Sequence, residues 1–308
     1  MIVKKLKNRI RRFFNKKKLY IYPETNDGWI KSNIPLISSD DSSYFDPYCC
    51  KVNDSLKIYI SRRQDNSIVC FDFVNEKLVN ESIVLKPSLA GWDSIINRAS
   101  VVFYNGKYYM WYTGQNNGKS QIGLAISDDG KKFVRHSDSP IIVPRLSFEK
   151  DSIMNPCVIY DKKNNVFKMW YSAGDIYEPD VICYAESFDG INWNKNLSPV
   201  FMKSDNKYDG CKVGGCDVII SNNTYKMYYI GYQNIDNARI CMAKSFDGFV
   251  WERYKNNPII SPTKSSFDAH ACYKPCYFVY NSFEYIVYNG RVNGQENICY
   301  AKKRLIKN

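Results

Sequence analysis

The sequence predicts an all-β protein, a five-bladed β-propeller closed by an N-terminal strand, and three observations predict it. One strand-like phrase recurs: "NGKYYMWYTG" at 105–114, "NNVFKMWYSAG" at 164–174, "NNTYKMYYIGY" at 222–232, "NSFEYIVYNGR" at 281–291 and a fainter "NDSLKIYISRR" at 53–63. An aspartate opens each unit, at Asp46, Asp93, Asp151, Asp209 and Asp268, with separations of 47, 58, 58 and 59 residues. Three units then close on the same turn, "SDDGKKF" (127–133), "SFDGINW" (187–193) and "SFDGFVW" (245–251). A period this regular is the mark of a repeat architecture.

Each unit reads as three or four short strands with turn signals between them, which is one antiparallel sheet. Such a sheet cannot bury both faces alone, but sheets packed in a ring can. Gly130, Gly190 and Gly248 suit the positive φ of an Asp-Gly turn into the outer strand. Pro140, Pro199 and Pro258 follow at an edge, where a missing N–H costs least. These motifs are therefore read as structural, as are Trp111 and Trp170. The last unit stops at "NICYAKKRLIKN" without such a tail, while "DGWIKSNIPLIS" (27–38) carries the tail without a unit before it. Circular closure accounts for both: residues 27–38 complete the C-terminal blade and remove an open edge.

The formal net charge is +12, and nine lysines and arginines lie in residues 1–18 with no acid among them, so the remainder carries only +3. Val3, Leu6, Ile10, Phe13 and Phe14 share one face at helical spacing. Residues 1–19 are thus expected to form a basic amphipathic helix or tail ahead of a propeller at 20–308. Such a helix suits an anionic membrane surface better than a transmembrane span or a secretory signal. With no signal recognised, the eleven cysteines read as reduced thiols on buried strands, which favours a cytoplasmic protein at the inner membrane face. No zinc pattern and no cofactor motif stands out. The body lacks a basic stripe with interleaved aromatics, which argues against nucleic acid.

Five units carrying "FDP", "NGKYYMWYTG", "IGLAISDDG" and "SFDGINW" resemble the five-bladed propeller glycosidases over about residues 27–301. That group includes arabinanases, xylosidases, invertases and levansucrases, with the related β-mannoside phosphorylases. The resemblance implies a funnel at the ring axis, lined by the first strand of each blade, where three carboxylates from different blades act. It places Asp46 of "YFDPYCCKV" as base or nucleophile. It also exposes departures. Asn97, Arg98, Ala99 and Ser100 stand where a second-blade Asp is expected, and Met154 and Asn155 where a third-blade Glu is expected. "KVGGCDVII" in the fourth blade offers only Asp217, eight residues before Tyr225 as Ser100 is before Tyr108, and Asp217 is taken as a second catalytic candidate.

A sugar alkoxide needs a proton to leave, whereas a phosphate or nucleoside diphosphate needs cations instead. The first strands offer Arg98, Lys212, His270 and Lys274, and Arg62 and Arg291 follow the second strands. Asn97, Asn155 and Trp92, the last as a stacking platform, complete the expected substrate-binding set. The other histidine, His136, falls in an outer turn. The leading expectation is glycosyl transfer with a sugar-nucleotide or sugar-phosphate donor, in making a cell-surface glycan. The alternatives are a glycoside hydrolase with a displaced acid (Glu149, Asp151 or Asp209) and a non-catalytic sugar-binding propeller. Equally, Asp93, Asp151, Asp209 and Asp268 have an ordinary reading as loop-stabilising acids.

Overall fold

The computed structural model describes residues 20–38, 43–175 and 178–305. The helix expected within residues 1–19 lies outside the described residues. Twenty strands make five four-stranded antiparallel sheets. The first is β2 (Tyr44–Val52), β3 (Ser55–Arg62), β4 (Ser67–Val74) and β5 (Lys77–Leu85). The second is β6 (Ile95–Tyr104), β7 (Lys107–Asn116), β8 (Lys119–Ser127) and β9 (Val134–Arg135). The third is β10 (Ser152–Asp161), β11 (Val166–Asp175), β12 (Glu178–Ser187) and β13 (Asn194–Lys195), touching the second through one parallel pair, Ser152 with Ser120. The fourth is β14 (Lys212–Ser221), β15 (Thr224–Tyr232), β16 (Ala238–Ser245) and β17 (Glu252–Arg253). The fifth is β18 (Ala271–Tyr280), β19 (Phe283–Val292) and β20 (Gln295–Arg304), completed by β1 (Ile30–Lys31).

The recurring phrase is the second strand of each blade, buried on both faces because blades stack against it. Met110, Trp111, Tyr112, Met169, Trp170 and Tyr171 are fully buried. Five isoleucines hold one register position on the third strands, each opposite a second-strand residue: Ile68 with Ser61, Ile122 with Thr113, Ile182 with Ser172, Ile240 with Ile230 and Ile298 with Asn289. All five are at 0% exposure, each in the core cluster of its own interface between blades.

The Asp-Gly turns fasten neighbouring blades. In each, a serine hydroxyl accepts the glycine N–H at 2.8–2.9 Å, and the aspartate accepts two further N–H groups. The glycine carbonyl then accepts a donor from the preceding blade: Tyr59 hydroxyl on Gly130 (2.7 Å), Trp111 indole on Gly190 (2.9 Å) and Trp170 indole on Gly248 (3.0 Å). Positive φ at all three glycines makes this geometry available.

A second device fixes the short outer strands. In four blades a buried acid accepts a tyrosine hydroxyl from the second strand and a cation from the outer strand. The sets are Asp93 with Tyr112 and Arg135, Glu149 with Tyr171 and Lys195, Asp209 with Tyr229 and Arg253, and Asp268 with Tyr288 and Lys31. In the third blade the acid is Glu149, not the Asp151 singled out by the period. Asp151 is exposed, because a 3₁₀ turn at Ser147–Glu149 carries the acid two residues earlier. Closure follows the same rules. Ile30 and Lys31 pair with Lys302 and Ala301, and Ile37 bridges Ile298 as Ile142 bridges Ile122 and Ile260 bridges Ile240.

Candidate active site at the ring axis

The five innermost strands, β2, β6, β10, β14 and β18, each break register at one place. The bulged residues are Asp46, Arg98, Asn155, Gly215 and Lys274, with φ of 55°, 58°, 54°, 44° and 50°. Four of the five are not glycine, and left-handed backbone in such residues costs free energy that the surroundings must offset. A proline follows in three (Pro47, Pro156, Pro275), where the bulge leaves no N–H to be paired. Four bulge N–H groups are caught by the preceding blade: Asp46 on Asn289 Oδ1 (2.6 Å), Arg98 on Ser61 Oγ (2.9 Å), Asn155 on Thr113 Oγ1 (3.1 Å) and Gly215 on Ser172 Oγ (2.8 Å). A bulge re-aims a side chain, and here four are re-aimed in one layer around the axis, Gly215 having none.

Above this layer lies a cavity of about 380 Å³. The inner strands contribute Phe45, Asp46, Asn97, Arg98, Lys212, Ala271 and Tyr273, and the loops and neighbouring strands add Arg63, Tyr232, Asp236, Arg291 and Glu296. Asp46 is 4% exposed and its Oδ2 accepts Arg98 Nε at 2.9 Å. Arg63 stacks on Phe45 with its guanidinium 4.5 Å from the ring centroid, and Arg291 donates to the Asp236 carbonyl at 3.0 Å. Lys212 lies over the Tyr232 ring at 4.7 Å. Asn97 donates to Gln115 (3.0 Å), and its buried Oδ1 has no hydrogen-bond partner, so a ligand hydroxyl has an acceptor waiting there.

Sequence reasoning therefore placed Asp46, Asn97, Arg98, Lys212 and Arg291 on residues that do meet in one cavity. The others do not meet there. Asp217 sits two residues past its bulge, fully enclosed, accepting the Tyr277 N–H at 2.6 Å and the Cys157 thiol at 3.7 Å. Its register equivalents Ser100, Cys157 and Cys276 accept the N–H of Val158, Val218 and Cys49 in the next blade, so this position is an inter-blade clasp and not a funnel position. Burial pushes the Asp217 carboxyl above its ordinary pKa. Lys274 is 2% exposed and passes over Gly215 beneath the cavity, near Asp217. Asn155 is turned onto Ser172 at 3.2 Å. His270 is exposed and accepts the Asn293 N–H at 3.1 Å. Arg62 points outward to Asp65 (2.7 Å) and Glu81 (2.6 Å), and its neighbour Arg63 lines the cavity instead. Trp92 stacks on Tyr112 at 5.8 Å, packed over Gly114 and Gly123 within the second blade. Glu149 and Asp209, entertained as displaced acids, are fully buried in the outer-strand clips.

Glu296 is the residue that sequence reading missed. It lies at the start of β20, where the register equivalents are Asn66, Ser120, Asp180 and Ala238, so no repeat points to it. Its Oε2 accepts the Tyr273 hydroxyl and Asn289 Nδ2 (2.8 Å). Burial pushes its pKa up; Tyr273 and Asn289 pull it down, and the Asp46 charge raises it further. Asn289 thus holds both acids, accepting from the Asp46 N–H and donating to Glu296. Among the described residues, no group of three or more His, Cys, Asp or Glu side chains is arranged to hold a metal ion.

Comparison with known proteins agrees with the fold. Residues 77–201 match the family description "Glycosyl hydrolases family 32 N-terminal domain". An uncharacterized protein of Mycobacterium tuberculosis is 28% identical over 222 residues, 67% of this chain and 71% of that one. A thermostable family-43 glycoside hydrolase superposes with a TM-score of 0.69 at 19% identity, covering 89% of this chain and 93% of the other. A structure from the GH130 family of mannoside phosphorylases, which contains glycoside hydrolases that target β-1,2 mannosidic linkages in Candida mannan, superposes with a TM-score of 0.68 at 13% identity, covering 93% and 96%. By fold, the chain is similar to the five-bladed β-propeller glycosidases.

Proposed function

We propose that this protein is a carbohydrate-active enzyme that transfers a glycosyl group, and that its substrate carries phosphate. The observation that carries this reading is the composition of the axial cavity. Asp46 is held by Arg98, and Arg63, Lys212 and Arg291 share the same walls. Asp46 serves as base or nucleophile at the sugar. A departing phosphate or nucleoside diphosphate is taken up by the remaining cations, which substitute for a proton donor. Hydrolysis is the second reading, favoured by Glu296, a second carboxyl in the cavity.

The test is a thermal-shift panel of sugar nucleotides, sugar phosphates and neutral oligosaccharides on the full chain. A ligand at one hundred times its dissociation constant adds about 2.7 kcal/mol. Phosphate-bearing sugars are expected to stabilise the wild type and not Arg63→Ala or Arg291→Ala. Stabilisation by neutral glycans alone, with release of free sugar, supports hydrolysis instead; no stabilisation by any sugar overturns the enzyme reading. We further propose that residues 1–18 hold the enzyme at an anionic cytoplasmic membrane face, where lipid-linked glycans are built. Co-sedimentation with phosphatidylserine vesicles that is lost on removal of residues 1–18 is the expected result, and co-sedimentation unchanged by that removal overturns it.

A further inference from the structure

We propose that Glu296 is the proton-transferring group of this site, working against Asp46 across a saccharide bound in the axial cavity. The inference rests on the glycosyl-transfer reading and deepens it by naming a second participant. Four observations converge on it. Glu296 and Asp46 line the same cavity. Both hydrogen bonds of Glu296 end on Oε2, so Oε1 is left for a ligand. The two acids belong to different blades yet are tied to one amide, Asn289, which limits how far either can drift. Finally, Asp46 carries a guanidinium partner at 2.9 Å, while among the described residues Glu296 has no cation within ion-pair distance and feels Arg63 only from farther off. Of the three acidic residues that line the cavity, Asp46, Asp236 and Glu296, the two joined through Asn289 have environments that differ in this way, which suits them to unequal roles in proton transfer.

The step balances as follows. The bond between the anomeric carbon and the departing oxygen breaks, and its electron pair stays on that oxygen. The oxygen takes the proton from Glu296 Oε1. An incoming hydroxyl forms the new bond to the anomeric carbon and gives its proton to Asp46. In the opposite direction Glu296, as carboxylate, accepts the proton of the attacking acceptor hydroxyl, and the departing phosphate takes its proton back from Asp46 while the cations hold its remaining charge. An acid is thus supplied for an alkoxide that leaves and a base for an alcohol that attacks.

The experiment uses the full chain and three variants, Glu296→Gln, Asp46→Asn and Tyr273→Phe. Gln keeps both acceptor contacts on the side-chain oxygen, so folding is expected to survive. With a saccharide found by the thermal-shift panel, Glu296→Gln is expected to bind within about threefold of wild type. Turnover is expected to fall by about 10²- to 10⁴-fold, the usual worth of a positioned acid or base. An aryl glycoside of the same sugar with a good leaving group should recover most of that loss in the cleavage direction, since it needs no proton. Turnover unchanged in Glu296→Gln, or a loss that tracks weaker binding, overturns the proposal. A second measurement does not depend on turnover. Infrared difference spectra are expected to show a protonated carboxyl that is missing in Glu296→Gln and that titrates at lower pH in Asp46→Asn and, with one stabilising donor gone, at higher pH in Tyr273→Phe. Absence of that band near neutral pH overturns the proposal even if the protein is an active transferase. Presence of the band in a protein that acts on no sugar overturns the transferase reading and the proton transfer that rests on it.

Discussion

Lys31 in the first strand and Asp268 in the last blade lie 237 residues apart in sequence and meet at 2.7 Å. Lys31 takes the place that Arg135, Lys195 and Arg253 occupy in the second, third and fourth blades. Ring closure is therefore written in the same side-chain code as the blades themselves.

Removing that cation leaves a carboxylate that is 3% exposed without its partner. Breaking a buried pair from one side costs about 3–5 kcal/mol. Lys31→Met is expected to lower the urea midpoint accordingly, with the deletion of residues 20–38 lower still. An unchanged midpoint in Lys31→Met would show that the closing strand is held by its backbone pairing alone.

The Tyr59 hydroxyl ties the first blade to the Gly130 carbonyl of the second, beside the Phe133 N–H that donates to the Val84 carbonyl at 3.1 Å. Tyr59→Phe keeps the ring and strands a buried carbonyl. The expected loss is about 1–3 kcal/mol in denaturant unfolding. The ring's edge contact with Phe133, at 6.0 Å, is retained, so a much larger loss would point to a repacked interface.

Gly114 and Gly123 provide the flat floor beneath Trp92. A Cβ on Gly114 would stand 2.2 Å from Trp92 Cζ3 and 2.6 Å from Asp93 Cβ. Gly114→Ala is expected to displace the indole, shift tryptophan fluorescence and destabilise by about 1–3 kcal/mol. Ligand binding at the axis should change little, because Trp92 is part of the blade and not of the cavity.

Asp46 and Asp217 separate chemistry from scaffold. Asp217→Ala orphans the buried Tyr277 N–H and is expected to cost at least about 1–3 kcal/mol of stability. Asp46→Asn is expected to keep the melting temperature within a few degrees and to abolish turnover. The reverse pattern, a stable Asp217→Ala protein without activity, would return Asp217 to the site.

Two glutamates give opposite pH slopes. For Glu149, burial raises the pKa, but Lys195, the N–H groups of Arg145 and Leu146 and the Tyr171 hydroxyl outweigh it and hold the carboxyl below 4.5. Its contribution to stability is present above the unfolded value and is lost as pH falls through the depressed one. Glu149→Gln should therefore flatten the acid limb of a stability–pH profile. Glu296 is raised, so its contribution is complete below about 4.5 and is lost as pH rises through the folded value. Glu296→Gln should gain on wild type between acid and neutral pH, as followed by urea unfolding at each pH.

The propeller is legible because its code is local and repeated. "YxMWY", Ser-x-Asp-Gly and Pro-x-Ile each solve one packing problem, and each recurs at a near-constant interval. The site is less legible because a bulge breaks the alternation that a strand reading assumes. At Asp46 and Arg98 the bulged residue reaches the cavity. Two positions on, at Ser100 and Asp217, the same spacing yields a clasp between blades. Arg62 ends β3 and Arg63 begins the turn after it; only the second lines the cavity, and in the sequence the wrong one of the pair looks as plausible as the right one. Glu296 belongs to no motif at all. It becomes visible only when β19 brings Asn289 alongside it.

Among the described residues the first blade shows no acid–tyrosine–cation clip; its outer strand, β5, is nine residues long and continues directly from β4. It can assemble from a contiguous stretch of nascent chain as soon as that stretch leaves the ribosome. The last blade cannot. Residues 30 and 31 emerge early and must wait, unzipped, until residues 301 and 302 have been synthesised. The circle is joined only once those residues are made, and during that wait an unsatisfied β18–β20 edge is the part of the molecule a chaperone has most reason to hold.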